Sequence, residues 1–197
     1  PLLGIPDFVR LWHLDRFEFA IGAACFLGAL FIGPIAGIVI AFVLAVINVT
    51  RRAANPPIDT LAADGDPEHS LLEAAPAGAP TVPGVVVVRL AAPLFFANST
   101  SFEKAVERAV RDTGATHVVL DMEAVTDVDV TGAESWETVH AFLTAHGADL
   151  ALSRVRPGIR ERLQHLELLD GVRFFDTNRE AIMAPQSHPE GSGHGRP

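Results

Sequence analysis

Two kinds of hydrophobic pattern divide the chain. From Phe17 to Val49, thirty-three residues run almost wholly apolar, with Glu18 the only charge. No amphipathic period is visible in that run, and Gly33-Pro34 breaks it into two arms of about sixteen residues. From Pro83 onward the pattern changes to short β-branched runs that alternate with helical stripes. Val85–Leu90 reads as a buried strand, and Pro93–Ala97 as a second strand-like piece. Phe102, Ala105, Val106, Ala109 and Val110 fall on one face of a helix, opened by the capping box Thr100-x-x-Glu103 and ended by Gly114. His117–Leu120 is the next strand. Trp136, Val139, His140 and Leu143 form the stripe of a second helix that stops at Gly147. Asp149–Val155 predicts a strand, Pro157 a helix start with Ile159, Leu163 and Leu166 inward, and Val172–Phe175 a last strand after the Asp170-Gly171 turn. Thr177-x-x-Glu180 caps a final short helix. The order β-β-α-β-α-β-α-β-α predicts an α/β domain with a mixed, mostly parallel sheet.

The apolar tract admits two membrane readings. One is a single long helix kinked at Pro34, since a span needs only about twenty residues. The other is a hairpin turning at Gly33-Pro34, where proline suits the first turn of the second arm. Flanking charge favours the hairpin: Arg10 and Arg16 precede the tract, and Arg51 and Arg52 follow it. The positive-inside rule puts both ends in the cytoplasm, which one crossing cannot do. Arms of this length are short, so they would sit inside a larger helical bundle. The many small residues, among them a Gly33-xxx-Gly37 pattern, suit close helix packing. A signal peptide fits poorly because the tract is too long. A buried hairpin of a soluble protein is the remaining alternative. Ile5 to His13, with Trp12, reads as an interfacial approach segment.

The expected domains are therefore 1–52, an apolar helical hairpin; 53–82, a linker; 83–184, the α/β domain; and 185–197, a low-complexity disordered tail. Within the linker, Ile58–Leu61 and Ser70–Leu72 are candidate short edge strands. The chain starts at Pro1 rather than Met, which suggests part of a longer protein.

Charge sharpens this division. Residues 1–57 hold four arginines against three acidic residues, whereas the remainder holds eleven basic and twenty-one acidic residues. Such an acidic second part excludes nucleic acid as a partner, because phosphate binding needs a basic surface. The single cysteine, Cys25, lies in the apolar tract, so neither a disulfide framework nor a cysteine zinc site is expected.

Candidate chemistry gathers in Thr116–Gly132, a strand, an acidic loop and a helix start. Asp121, Glu123, Asp127 and Asp129 invite a metal reading, but the calcium-loop spacing is incomplete and solvated loop carboxylates are expected instead, with Asp129 helping to hold the loop. The eight histidines show no ligand spacing. His117 and His140 read as packed residues and His69 as a solvated one. No catalytic triad, phosphate-cradling glycine loop or cofactor motif is present, so no catalytic or metal residue, cofactor or enzyme activity is expected. Thr131 carries two compatible readings. It can cap the second helix through Thr131-x-x-Glu134. It can also accept a phosphate, which a helix N-terminus favours. Asp129 and Gly132 flank it. Phe95-Phe96 reads as core, with an exposed docking face as the alternative.

Three segments carry a resemblance: PGVVVVR (83–89), APLFFAN (92–98) and the run from Val119 through Asp121 to Asp129-Val130-Thr131-Gly132-Ala133. They resemble the STAS domain of SulP-type anion transporters, and the Phe17–Arg52 hairpin resembles that family's last two membrane helices. The resemblance covers nearly all of residues 1–184. It implies a multi-pass protein of the cell membrane that carries sulfate, bicarbonate or dicarboxylates, with a cytoplasmic STAS domain regulating or assembling it. It implies as partners membrane lipid, the remaining transporter helices, a second copy of the chain, and a regulatory protein or kinase. The family's substrate site lies earlier than this chain, so no substrate ligand is assigned here. STAS domains also resemble anti-sigma factor antagonists, whose Asp-Ser-Ser-Gly box is phosphorylated on the residue before glycine. Thr131 holds that position, with Val130 replacing the first serine. A membrane-anchored signalling module of that type is the alternative function.

Overall fold

A computed structural model describes residues 16–63 and 73–184. The approach segment at 5–13, the candidate strand at 70–72, His69 and the tail at 185–197 lie outside the described residues. The chain divides into two compact units, 1–53 and 54–197.

The first unit is a helical hairpin. Helix α1 spans Arg16–Phe31 and α2 spans Pro34–Ala54. Gly33 turns the chain between them at φ 128°, a conformation side chains disfavour, and Pro34 opens α2 as expected. The helices approach closely where side chains are smallest. A Cβ on Gly37 would lie 2.7 Å from the Ala29 Cβ, and one on Gly28 would lie 2.6 Å from Ile40 Cδ1. Gly33 contributes the turn rather than the packing, so the contact pairs Gly28 and Ala29 with Gly37 and Ile40 instead of using Gly33-xxx-Gly37 as one face. α2 is long and apolar enough to cross a membrane, while the apolar part of α1 is shorter. Phe26, Phe31, Ile35, Ile38 and Phe42 are all more than half exposed.

The second unit is a five-stranded sheet in the order β1-β2-β3-β4-β5. The strands are β1 Ile58–Thr60, β2 Val85–Leu90, β3 His117–Asp121, β4 Asp149–Ser153 and β5 Arg173–Phe175. β1 runs antiparallel to β2, and the other pairs are parallel. The edge strand anticipated at Ile58–Leu61 thus forms, with Leu61 continuing as a bridge to Ala74. Helices α3 (Ser99–Thr113), α4 (Val130–Ala145) and α5 (Pro157–His165) join successive parallel strands. Their apolar stripes meet Val86, Val88, Val118, Leu120, Leu150 and Leu152 on one sheet face. The short helix α6 (Asn178–Met183) covers the other face, where Val85, Val87, Val119 and Ala151 pack with Leu61 and Ala181. Burial on both faces explains why β2 and β3 are apolar runs without alternation.

Two local expectations change. Pro93–Ala97 is not a strand: only Leu94 bridges, to Val128. The Asn98 side chain curls this segment by accepting from the Phe95 amide at 3.0 Å and donating to the Pro93 carbonyl at 2.8 Å. These bonds replace those of a neighbouring strand. Helix α3 consequently starts at Ser99, next to Asn98, and Thr100 lies inside its first turn rather than capping it. The box at Thr177 does form, with its hydroxyl accepting from the Glu180 amide at 3.2 Å.

Candidate functional site

The strand, acidic loop and helix start expected at 116–132 are all present, and the loop at 93–98 folds onto them. Leu94 is the hinge of this corner. Its amide donates to the Asp127 carbonyl at 2.9 Å, and its carbonyl accepts from the Asp129 amide at 3.1 Å. Gly132 lets that loop approach α4: a Cβ there would lie 2.7 Å from the Leu94 carbonyl oxygen. The glycine is thus required by contact rather than by a turn.

Asp129, not Thr131, caps α4. Its Oδ1 accepts from the Gly132 amide at 2.7 Å, and its Oδ2 accepts from the Phe96 amide at 3.2 Å. One carboxylate therefore ties the helix start to the 93–98 loop, and its negative charge suits the helix N-terminus. Thr131 lies within the first turn, half-buried, and its hydroxyl makes no hydrogen bond among the described residues. The Thr131-x-x-Glu134 cap does not form because the helix begins one residue before Thr131, at Val130.

The acidic residues do not share one environment. Glu123 and Asp127 are exposed, but Asp121 is buried at the C-terminal end of β3. Its carboxylate accepts from Arg89 Nε at 2.9 Å, from both Nε and an amino group of Arg154, and from Asn178 Nδ2 at 3.2 Å. Arg154 also pairs with Glu123, and Asn178 also bonds Ser153. The expectation of a solvated loop carboxylate at Asp121 is thus overturned, because two arginines on neighbouring strand ends enclose it. One clue was available: Arg89 is the one charge in an otherwise apolar strand, and a charge there needs a buried partner. The partner itself comes from register, which sets Arg89 opposite Asp121. Further along the loop, Arg162 of α5 donates to the Val128 carbonyl at 2.9 Å. Among the described residues no group of three or more His, Cys, Asp or Glu is placed to hold a metal.

A family model for the STAS domain matches residues 77–181. The chain belongs to the STAS domain family. Similarity extends beyond the STAS domain. A probable sulfate transporter of Mycobacterium tuberculosis is 30% identical over 189 residues, 93% of this chain and 34% of that protein. High affinity sulfate transporter 2 of Stylosanthes hamata is 25% identical over 195 residues, 92% of this chain and 29% of that protein. The chain thus spans about a third of the length of these relatives. Among solved structures, murine Solute Carrier 26 family member A9, an anion transporter in the inward-facing state, shares the fold. Its TM-score is 0.73 at 20% identity, over 94% of this chain and 31% of that one.

Two side chains of the STAS domain depart from their ordinary acidity. Burial pushes the Asp121 carboxyl up, but hydrogen bonds from Arg154, Arg89, Asn178 and the Glu123 amide outweigh it and hold the group below its usual range. Burial lowers His117 at the start of β3, with Arg173 adding to the effect against the opposing pull of the Ala181 carbonyl and Asp149. His117 is packed as expected, and its Nε2 lies 3.1 Å from the Ala181 carbonyl. His140 is only half-buried. The Phe pair separates from the core expectation: Phe95 is half-buried, while Phe96 is 67% exposed. Leu94 takes the core position instead, because the curl at Asn98 turns it inward.

Proposed function

We propose that this chain supplies the last two membrane helices and the STAS domain of a SulP-type anion transporter. The single observation carrying this reading is that similarity to sulfate transporters runs through 93% of the chain, and so includes the apolar hairpin as well as the STAS domain. The hairpin supports it physically. Its apolar side chains face outward, as they would toward lipid or further helices. The substrate class is sulfate, bicarbonate or a dicarboxylate, and the STAS domain is cytoplasmic, dimeric with a second copy, and regulatory. The test is uptake of each labelled anion into proteoliposomes holding the full-length product of the gene that encodes this chain. Saturable uptake of one of them is expected. A reading frame with only this hairpin ahead of the STAS domain, and no uptake, would overturn the transporter in favour of a membrane-anchored signalling module.

Regulation is proposed to act at the Asp129–Gly132 corner. A phosphate on Thr131 would bring about two negative charges against the Asp129 carboxylate. Repulsion would free that carboxylate from the Gly132 and Phe96 amides it now holds. The 93–98 loop would then lose one tether. Thr131→Asp in the full-length protein is expected to change uptake or partner binding, and Thr131→Ala is expected not to. Identical uptake and binding by both variants and the parent would sink the proposal.

A further inference from the structure

Helix α6 is held to the sheet by the two ends of one strand. His117, Val119 and Asp121 alternate onto the face that α6 covers, whereas Val118 and Leu120 point to the opposite core. Asp121, the last residue of β3, accepts from Asn178 at the start of α6. His117, the first residue of β3, meets the Ala181 carbonyl near its other end. Between these two polar contacts lies an apolar strip of Val85, Val87, Val119 and Ala151. A helix of six residues makes little stability on its own, so these attachments decide whether it stays docked.

The two attachments respond differently to protons. The Asp121 carboxylate is held by Arg89 and Arg154 as well as by Asn178. His117 has no such reserve. Only its neutral form, with the proton on Nε2, suits both neighbours. Nε2–H then donates to the Ala181 carbonyl, and bare Nδ1 faces an Arg173 amino group 3.5 Å away. A second proton on Nδ1 would set N–H against N–H and cation against cation, inside a site where His117 is 2% exposed. The charged groups acting on His117 are Arg173 from β5 and, favouring the proton, Asp149 from β4, which lies 3.7 Å from Arg173. α6 offers it the Ala181 carbonyl, and β2 offers no charge at the paired residue Val85.

We propose that His117 is a proton-sensitive latch, and that mild acidification releases the C-terminal end of α6 from the sheet and uncovers the Val85–Val87–Val119–Ala151 strip. The direction follows from linkage. His117 titrates below its ordinary value of 6.5 while α6 is docked and returns toward that value once α6 opens. Docking is therefore complete above about pH 6.5, and opening increases as pH falls below it. One linked proton allows up to about tenfold per pH unit.

The test is hydrogen exchange read by mass spectrometry on the whole chain in lipid nanodiscs, from pH 7.5 to 5, corrected for the intrinsic pH dependence of exchange. Protection of 180–183 is expected to fall below pH 6.5 while Val86–Val88 stays protected. His117→Gln keeps an N–H for the Ala181 carbonyl but cannot titrate, so its α6 protection should not vary with pH beyond that correction. Arg173→Gln removes the opposing cation, so a protonated His117 is better tolerated under docked α6 and the loss of protection below pH 6.5 should shrink. Protection of α6 that is level across the range in the parent chain overturns the latch. So does a fall that persists in His117→Gln. Should that variant fail to fold, an undiminished loss of protection in Arg173→Gln overturns it as well.

Discussion

Asp121 and Gly132 show how single side chains support the corner around Thr131, and each makes a measurable prediction. Asp121 neutralises two arginines whose side chains are 19% and 23% exposed. Neutralising Asp121 takes from both arginines the buried carboxylate they share, at about 3 kcal/mol. Asp121→Asn is therefore expected to lower the melting temperature of the STAS domain, seen in the near-ultraviolet circular dichroism of Trp136. Replacing Arg89, Asp121 and Arg154 together by Met, Leu and Met should cost less, since an apolar cluster needs no buried countercharge. A triple variant less stable than Asp121→Asn would contradict this account. For Gly132, alanine would press its methyl into the Leu94 carbonyl. A cost of about 1–3 kcal/mol is expected, together with faster amide exchange at Phe96. Gly158 is the control. Nothing lies within 4 Å of a Cβ there and its φ is ordinary, so Gly158→Ala in helix α5 should stabilise the domain by about 0.5–1 kcal/mol. These contrasts were only partly legible beforehand. Asp129 and Gly132 stood out by their position at a helix start, but nothing local distinguishes the buried Asp121 from the exposed Asp127.

Elements follow their patterns wherever the pattern is dense. The valine run of β2, the stripe of α3 and the Pro157 start of α5 all form as expected, since each is written in consecutive or regularly spaced residues. The exceptions are short segments whose backbone groups are claimed from elsewhere. Residues 93–98 could have paired as a strand, but Asn98 and the 127–129 segment take their hydrogen bonds. Within the hairpin, α1 and α2 touch through Gly28, Ala29 and Gly37. Gly37→Leu should force the arms apart. Spin labels at the exposed positions Phe26 and Phe42 are then expected to show a longer mean separation by double electron–electron resonance, in nanodiscs. An unchanged distance would mean that the turn at Gly33 alone holds the pair.

The acidities of His117 and Asp121 give the STAS domain a pH profile. Both groups bind protons less readily when folded than their ordinary values of 6.5 for His117 and 3.8 for Asp121. The unfolded chain therefore takes up more protons in each window, and stability falls as pH falls. Stability is expected to be full above about pH 6.5, to decline below it as His117 protonates, and to decline again below about 3.8 as Asp121 does. Melting temperatures from pH 8 to 3 check the order. His117→Gln should remove the first decline and leave the second. A first decline of equal size in that variant would place its origin elsewhere.

The mostly parallel α/β domain, the hairpin turn and the helix start behind Asp129 are all readable from residue order, because periodicity, capping residues and breakers act over a few positions. Even the family resemblance rests on such local runs. The identity of the cap, the inward Leu94 with outward Phe96, and the burial of Asp121 are not readable that way. Each depends on which strand ends and loops meet in space, and register and loop closure set those meetings between residues some thirty positions apart, as with Arg89 and Asp121. The latch on α6 is of the same kind: His117 looks like one apolar-run histidine among others until the fold sets the Ala181 carbonyl and Arg173 on its two nitrogens.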